Sequence, residues 1–333
     1  MKNFMDTLKY DPLPLLLSSG DEPLIYFTRR DLLGEEVGSV ERLWNLPGAV
    51  KILKKQLPEG SWPRPGENRH PAINHSLIET WRQFRYLVER YGMTRAHPQA
   101  ERAAEFIFSC QTAEGDIRGF LANQYVPYYT GAIMALLVQA GYADDPRIEK
   151  GFRWLLGVRQ DDGGWSIPMI THKLDRATQY RLASEYAEPL QPDRTKLFSH
   201  HWTGMVLRAF AVHPTYRHSA EARVAGDLLK SRFFLPDAYS SYKAACYWLR
   251  FEHPFWWTNL LTALDSLARM GFSAQDGQIR KGLDWLCEHQ ERSGLWRVSY
   301  MKPEEKEKET VEEREKKLWV SLAICKVKKL LFG

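Results

Sequence analysis

Hydrophobic and polar positions along this chain repeat with the helical period, and no stretch shows the strict alternation of a half-buried strand. From residue 39 two kinds of apolar-periodic run take turns. One kind, at about 39–56, 97–111, 145–160, 217–233 and 276–290, is amphipathic and rich in Arg, Lys and Glu, so each run is expected to turn one face to water. The other kind lies between them, at about 72–91, 126–141, 199–212, 255–270 and 311–331. Within it, Tyr128 to Val138 is apolar on every side, which predicts an enclosed helix. Exposed and enclosed helices alternating through short turns predict an all-α fold. Its simplest form is a closed ring of helical hairpins, with the enclosed helices as an inner barrel and the amphipathic ones as an outer layer.

The amphipathic runs end in a recurring turn. Gln160-Asp161-Asp162-Gly163-Gly164-Trp165 follows the run Gly151 to Arg159, and the same form recurs from Gln56 to Trp62 and from Gln290 to Trp296. A degenerate copy begins at Gln111 and lacks the tryptophan, with Phe120 nearby. The glutamines are 55, 49 and 130 residues apart, so a further copy is expected near 228–240, where the helix pattern is present without the turn. Such fixed-period self-similarity marks a repeat architecture. In each turn the glutamine amide can satisfy backbone groups at the helix end while the tryptophan packs on a neighbouring repeat, which makes Gln56, Trp62, Gln111, Gln160, Gly164, Trp165, Gln290 and Trp296 structural.

Before the first run, residues 1–38 hold two short apolar segments, the second opened by Pro23 and closed by Gly34, and predict a helical cap on one end of the array. Residues 39–333 then form one domain. A connection from 166 to 198 is too long for a plain turn. The charged run Lys302 to Lys317 predicts a solvated loop that enters a helix through a capping box at Thr310 to Glu313.

Composition narrows the partners. No apolar run approaches the roughly 20 residues needed to cross a bilayer. The net charge of +5 comes without a Lys/Arg stripe, which argues against nucleic acid and permits attraction to an anionic head group or a peripheral membrane contact. Cys110, Cys246, Cys287 and Cys325 are widely spaced, so neither a disulfide framework nor a zinc site is expected, and the cytoplasm is the natural location. The 12 tryptophans suit aromatic packing between helices or a hydrocarbon-binding wall.

The glutamine turns, together with the Trp-Leu pairs Trp154-Leu155 and Trp285-Leu286 that precede two of them, resemble the QW repeats of squalene and oxidosqualene cyclases and the related repeats of protein prenyltransferase β subunits. The resemblance spans nearly all of the chain after residue 38. It implies an (α/α) toroid of about five to six hairpins. It does not carry the family's chemistry across. The Asp-x-Asp-Asp motif of the proton-initiated cyclases is missing, as are the zinc ligands of the prenyltransferases and the Asp-Asp-x-x-Asp diphosphate signature. Asp161-Asp162 sits in a turn and Asp144-Asp145 at a helix start, both structural positions. No metal or cofactor is expected.

Candidate chemistry therefore lies on the enclosed helices. If these run parallel, their leading ends gather His75, Tyr128, Tyr129, His200, His201, Trp202, Trp256 and Trp257 at one mouth, with Trp319 further down the last helix. Among enclosed ionisable groups, Glu79 shares a helix with Arg82 and Arg85, Arg208 lies among apolar residues, and Asp265 shares a polar stripe with Arg269. Such groups either pair to fix helix registry or act on a ligand, Asp265 as a proton donor and Arg208 as an anchor for an anionic head. His200 and His201, adjacent on a helix, point about 100° apart and make a poor metal pair. The leading expectation is a terpenoid-cyclase-like toroid that binds or transforms an isoprenoid or other largely apolar ligand, by proton-initiated cyclisation or isomerisation if it is an enzyme. One alternative is a glycan-active (α/α) barrel with carboxylates from Glu79, Asp265 or Glu185. The other is a non-catalytic binding scaffold.

Overall fold

In the computed structural model, which describes residues 4–67, 69–239, 244–301 and 309–333, proline and small polar residues set where each helix begins. The short helices α1 (Leu13–Leu17) and α2 (Glu22–Phe27) come first, and α2 continues as a wider turn to Leu33. The amphipathic helices are α3 (Pro47–Leu53), α5 (Pro98–Ser109), α7 (Pro146–Gly157), α11 (Ala220–Ser231) and α13 (Gly277–Glu288). Between them run α4 (His75–Tyr91), α6 (Pro127–Leu137), α10 (His200–Val212), α12 (Leu260–Arg269) and α14 (Val311–Phe332). Two further helices, α8 (Pro168–Thr171) and α9 (Arg176–Ser184), lie in the long connection. The described residues contain isolated β-bridges and no strand, so the fold is all-α, with the helical pairs that the toroid reading requires.

Two predicted helices are shorter than their apolar runs. Pro47 splits the first into a 3-10 turn, Val40–Asn45, and α3, because the residue before a proline is pushed out of the helical region. The run from 255 starts as a helix only at Leu260, where Asn259 and Thr262 form a reciprocal cap. Trp256 and Trp257 therefore lie in the loop ahead of α12 instead of on its first turn. The cap at the start of α14 has the predicted partners: the Glu313 amide donates to the Thr310 hydroxyl at 3.2 Å, and the Thr310 amide donates to the Glu313 carboxylate at 2.9 Å. Residues 302–308 of the charged run fall outside the described residues.

The chain divides into two compact units. One comprises 40–228 with 238–240, the other the described parts of 1–39, 229–237 and 241–333. In the first unit α6 and α10 cross at Gly131, where an added Cβ would sit 2.6 Å from the Cα of Val206. Only glycine permits so close an approach.

The glutamine turns share one set of hydrogen bonds. In the first, the Gln56 amide donates to Gly60 O at 3.0 Å, closing the turn, and to Gln99 O at 2.8 Å at the start of α5. Gln111 does the same with Gly115 O and, on α7, Arg147 O, both at 2.8 Å. Gln290, in the other unit, reaches Gly294 O at 2.8 Å and Tyr10 O at 2.7 Å. The indole N–H groups of Trp62, Trp165 and Trp296 each donate to the carbonyl ten residues earlier, at Ile52, Leu155 and Leu286. The backbone N–H at the tryptophan position donates to a hydroxyl on an enclosed helix, Trp62 to Thr80, Trp165 to Thr203 and Trp296 to Ser321. In the degenerate copy that role falls to Ile117, whose N–H donates to Thr130 at 3.1 Å. Ile117, not Phe120, thus fills the tryptophan position. Gly60, with φ +97°, allows the fastening because an added Cβ would meet Arg102 O at 2.2 Å.

The expected copy near 228–240 contains α11 and no glutamine turn, and residue 240 itself lies outside the described residues. The buried Trp248 nevertheless donates its indole N–H to Leu235 O at 3.0 Å. At Gln160 the pattern departs. Its amide donates to Asp193 O at 2.8 Å and Lys196 O at 2.9 Å, within the long connection. Asp162 is used structurally, its carboxylate accepting from the amides of Gly164 at 3.0 Å and Phe198 at 2.8 Å.

Candidate functional site

In the unit 40–228, capped helix starts place aromatic side chains at the leading ends of the enclosed helices. Asn74 caps α4 by accepting from the Leu77 amide, Pro127 opens α6, and Ser199 caps α10 by accepting from the Trp202 amide. The first turns of α6 and α10 then bring Tyr128 and Trp202 into a stack with ring centroids 4.2 Å apart. Tyr129 lies 4.4 Å from Tyr128, and His201 stands edge-on to Trp202 at 4.5 Å. The chain of rings goes on from Tyr129 to Trp81 at 5.3 Å and to Phe120, which stacks on Tyr129 at 3.8 Å. Trp81 and Phe120 are additions to the residues expected from the sequence. Their signal was present but indirect: Trp81 lies in the second turn of its helix instead of at the start, and Phe120 sits in a turn.

His75 begins α4 and lies against Arg64, its imidazole hydrogen-bonding the guanidinium. Partial burial, with the charges of Arg64 and His70 adding to it, holds the imidazole below its ordinary range. His200 and His201 are buried at the start of α10. Among the described residues no group of three His, Cys, Asp or Glu side chains is placed to hold a metal ion.

The ionisable groups of the enclosed helices are paired. Glu79 accepts from Gln83 and lies 3.5 Å from Arg82. Arg208 donates to Glu89 at 2.8 Å, linking α10 to α4. Sequence reasoning missed Glu89, which in sequence reads as one more acid near a helix end. Arg85 lies over Trp81 at 5.1 Å, a cation–π contact. The loop leading into α6 carries a further network. Arg118 donates to Glu114 at 2.7 Å and Asp116 at 2.8 Å, and the Tyr125 hydroxyl donates to Glu114 at 2.7 Å. Burial alone would raise the Glu114 carboxyl, but the bonds from Arg118 and Tyr125 outweigh it and hold it below its ordinary range.

The remaining expected residues belong to the other unit. Trp256 and Trp257 meet edge to face at 5.6 Å. Trp319 on α14 stacks on His253 at 4.4 Å and donates its indole N–H to Asp21 at 2.8 Å. Asp265 is not enclosed. Its side chain is 37% exposed and accepts from Arg269 at 2.8 Å. The charge of Asp265 outweighs burial and holds the Arg269 guanidinium above its ordinary range. Glu185, which lies in the unit 40–228, is exposed in the long connection.

Comparison with known proteins adds one family match. Residues 80–183 match the family described as the squalene-hopene cyclase C-terminal domain, just under a third of the chain. The matched stretch lies inside the unit 40–228 and includes Trp81, Phe120, Tyr128 and Tyr129, in agreement with the resemblance carried by the glutamine turns. No curated protein matches the chain. Among solved structures, a variant of the type II terpene cyclase MstE from Scytonema, bound to geranylgeranyl dihydroxybenzoate, is similar at 15% identity, with 88% of this chain and 83% of that one covered and a TM-score of 0.46. A protein from Actinoplanes is similar at 17% identity, with 87% and 86% covered and a TM-score of 0.40.

Proposed function

We propose that the aromatic rings of Trp81 on α4 and of the leading ends of α6 and α10 bind an isoprenoid or another largely apolar ligand. The observation that carries this reading is the unbroken run of ring contacts from Phe120 and Trp81 through Tyr129, Tyr128 and Trp202 to His201. Rings in such a run hold hydrocarbon by contact area, and each face attracts a cation by roughly 0.5–2 kcal/mol. The partial match to the squalene-hopene cyclase family supports the same ligand class. Tyr180, Tyr186 and Leu197 are exposed in the long connection, as are Lys173, Arg176 and Arg181, a mixture of apolar and basic side chains that suits a peripheral membrane contact.

Binding is better supported than turnover. The carboxyl that the sequence offered as a proton donor, Asp265, is held in an ion pair with Arg269 at 2.8 Å. The test is to incubate purified protein with squalene and with geranylgeranyl diphosphate and to analyse organic extracts by mass spectrometry. Retained ligand without product is the expected result, and Trp202→Ala should weaken retention about tenfold, the equivalent of one aromatic face. Neither ligand retained and no product formed would overturn the proposal.

A further inference from the structure

The long connection has two fastened ends and a lightly held middle. At its start, residues 166–169 are buried and lead into α8. At its end, 193–198 is fixed by the Gln160 and Asp162 bonds and by the Asp161 amide donating to Arg194 O at 2.8 Å. Between these, from 172 to 192, only Leu182 and Ser184 are buried, at 7% and 8% exposed. A segment with so little buried apolar surface belongs to the low-stability end of a fold. Its first turning point is strained: Lys173 has φ +51°, a left-handed conformation that costs a residue with a side chain roughly 1–2 kcal/mol.

The middle is held by polar contacts, and these fall on the loops that lead into the enclosed helices. Gln124, three residues before α6 and 1% exposed, accepts from the Leu190 amide at 3.0 Å and donates to Ala187 O and Glu188 O, each at 3.3 Å. Asn123 accepts from the Ala187 amide at 3.0 Å. Gln191 donates to the Tyr125 hydroxyl at 3.1 Å. Tyr180 meets His70, in the loop before α4, with ring centroids 5.9 Å apart. The fixed stretch 193–198 then joins the segment to the start of α10. The segment thus touches the loops before α4 and α6 and leads on to α10, and the first turns of α6 and α10 carry Tyr128, Tyr129 and Trp202.

We propose that residues 173–191 are a lid over the leading ends of α4, α6 and α10, hinged at Lys173 and latched by Gln124. Closed, it rests on the loops beside the Tyr128–Trp202 stack. Opening costs the exchangeable hydrogen bonds, each of which water can replace, together with the burial of Leu182 and the Tyr180–His70 ring contact, while the two fastened ends stay in place. The proposal holds whatever the ligand is, and its test uses none.

Amide hydrogen exchange on the wild-type chain should show Ala187 and Leu190 exchanging through local opening, well ahead of Val206 and Leu207 in α10. Gln124→Ala, which removes three of the latching bonds, should speed exchange at 187 and 190 roughly tenfold or more and leave α10 unchanged. Hydroxyl-radical footprinting then reports the mouth itself. Oxidation of Tyr128, Tyr129 and Trp202 should rise in Gln124→Ala and fall in an Asn123→Cys/Ala187→Cys variant once its disulfide has formed. Exchange at 187 and 190 in the wild type as slow as in the α10 core would identify a rigid brace and overturn the proposal. So would footprints on the three rings that neither variant moves.

Discussion

Replacing Thr203 by valine isolates one hydrogen bond of the glutamine turn. Thr203 and Trp165 are both fully buried, and the Trp165 N–H donates to the Thr203 hydroxyl at 2.8 Å. The hydroxyl in turn donates to Trp165 O at 3.2 Å, but that carbonyl also accepts from the Ser199 amide at 2.9 Å, so valine leaves it with a partner. What the substitution strands is a single buried N–H. A stranded buried donor costs about 1–3 kcal/mol, whereas the near-identical shape of valine keeps the packing. Urea unfolding followed by far-ultraviolet circular dichroism reads the loss as a fall in midpoint at constant slope. Thr203→Ser keeps the hydroxyl and gives up one methyl, about 0.8 kcal/mol, so it should be the milder change. Thr203→Val indistinguishable from wild type, or milder than Thr203→Ser, would refute the idea that hydroxyls on the enclosed helices fasten the turns.

Further outcomes follow from the buried charges and from the departure at Gln160. Arg208→Met, which removes the 2.8 Å bond to Glu89 from a pair whose side chains are at most 14% exposed, should destabilise by about 1–3 kcal/mol in the same unfolding assay, and adding Glu89→Leu should recover part of it. Lys328 is 2% exposed, and burial holds its ammonium below the ordinary range although Thr7 O accepts from it at 2.8 Å. The unfolded chain then binds that proton more tightly, so stability rises with pH between the depressed native value and the ordinary 10.5. Lys328→Met should abolish the rise. Cys325, pushed up to about 12 by burial, titrates with the opposite sign above its ordinary value and feels the Lys328 charge, so wild type and variant are compared in a Cys325→Ala background. Gln111→Ala should destabilise by about 1–3 kcal/mol, and Gln160→Ala by a similar amount with the loss visible in hydrogen exchange at 193–198.

Much of this fold was legible because its repeated parts obey local rules. The alternation of helices was read from apolar periodicity, and the starts at Pro98, Pro127 and Pro146 follow from the fixed φ of proline. The turns were read from Gln and Trp at fixed spacing. Their hydroxyl partners were not, because Thr80, Thr130, Thr203 and Ser321 lie at unequal distances along the chain from the N–H groups they accept. That pairing exists only once two elements meet. Ile117 was missed for a related reason. The position needs a backbone N–H and an apolar side chain, and neither demands tryptophan. The pairing of Arg208 with Glu89 likewise joins residues 119 positions apart. Asp265 looked enclosed because leucines sit among its helical neighbours, but its polar stripe, with Arg269 four residues on, faces outward far enough to leave the carboxylate 37% exposed.

The departure at Gln160 changes how the long connection should be understood. In the copies at Gln56 and Gln111 the second bond of the glutamine amide goes to the second residue of the following amphipathic helix, Gln99 or Arg147. At Gln160 the corresponding bonds go to Asp193 and Lys196 instead. The end of the connection has therefore taken over a fastening that elsewhere holds a helix, and Asp161 and Asp162 add two backbone bonds to the same stretch. A segment secured this way cannot be removed without loosening the turn. Residues 173–191 carry no such duty, since their contacts reach loops ahead of the enclosed helices and nothing in the turn depends on them. The connection thus contains a structural part, bound into the repeat by its glutamine, and a separable part positioned where the aromatic run begins. The Asp161 amide and the Asp162 carboxylate, structural in the turn as its sequence implies, fasten that structural part at Arg194 and Phe198.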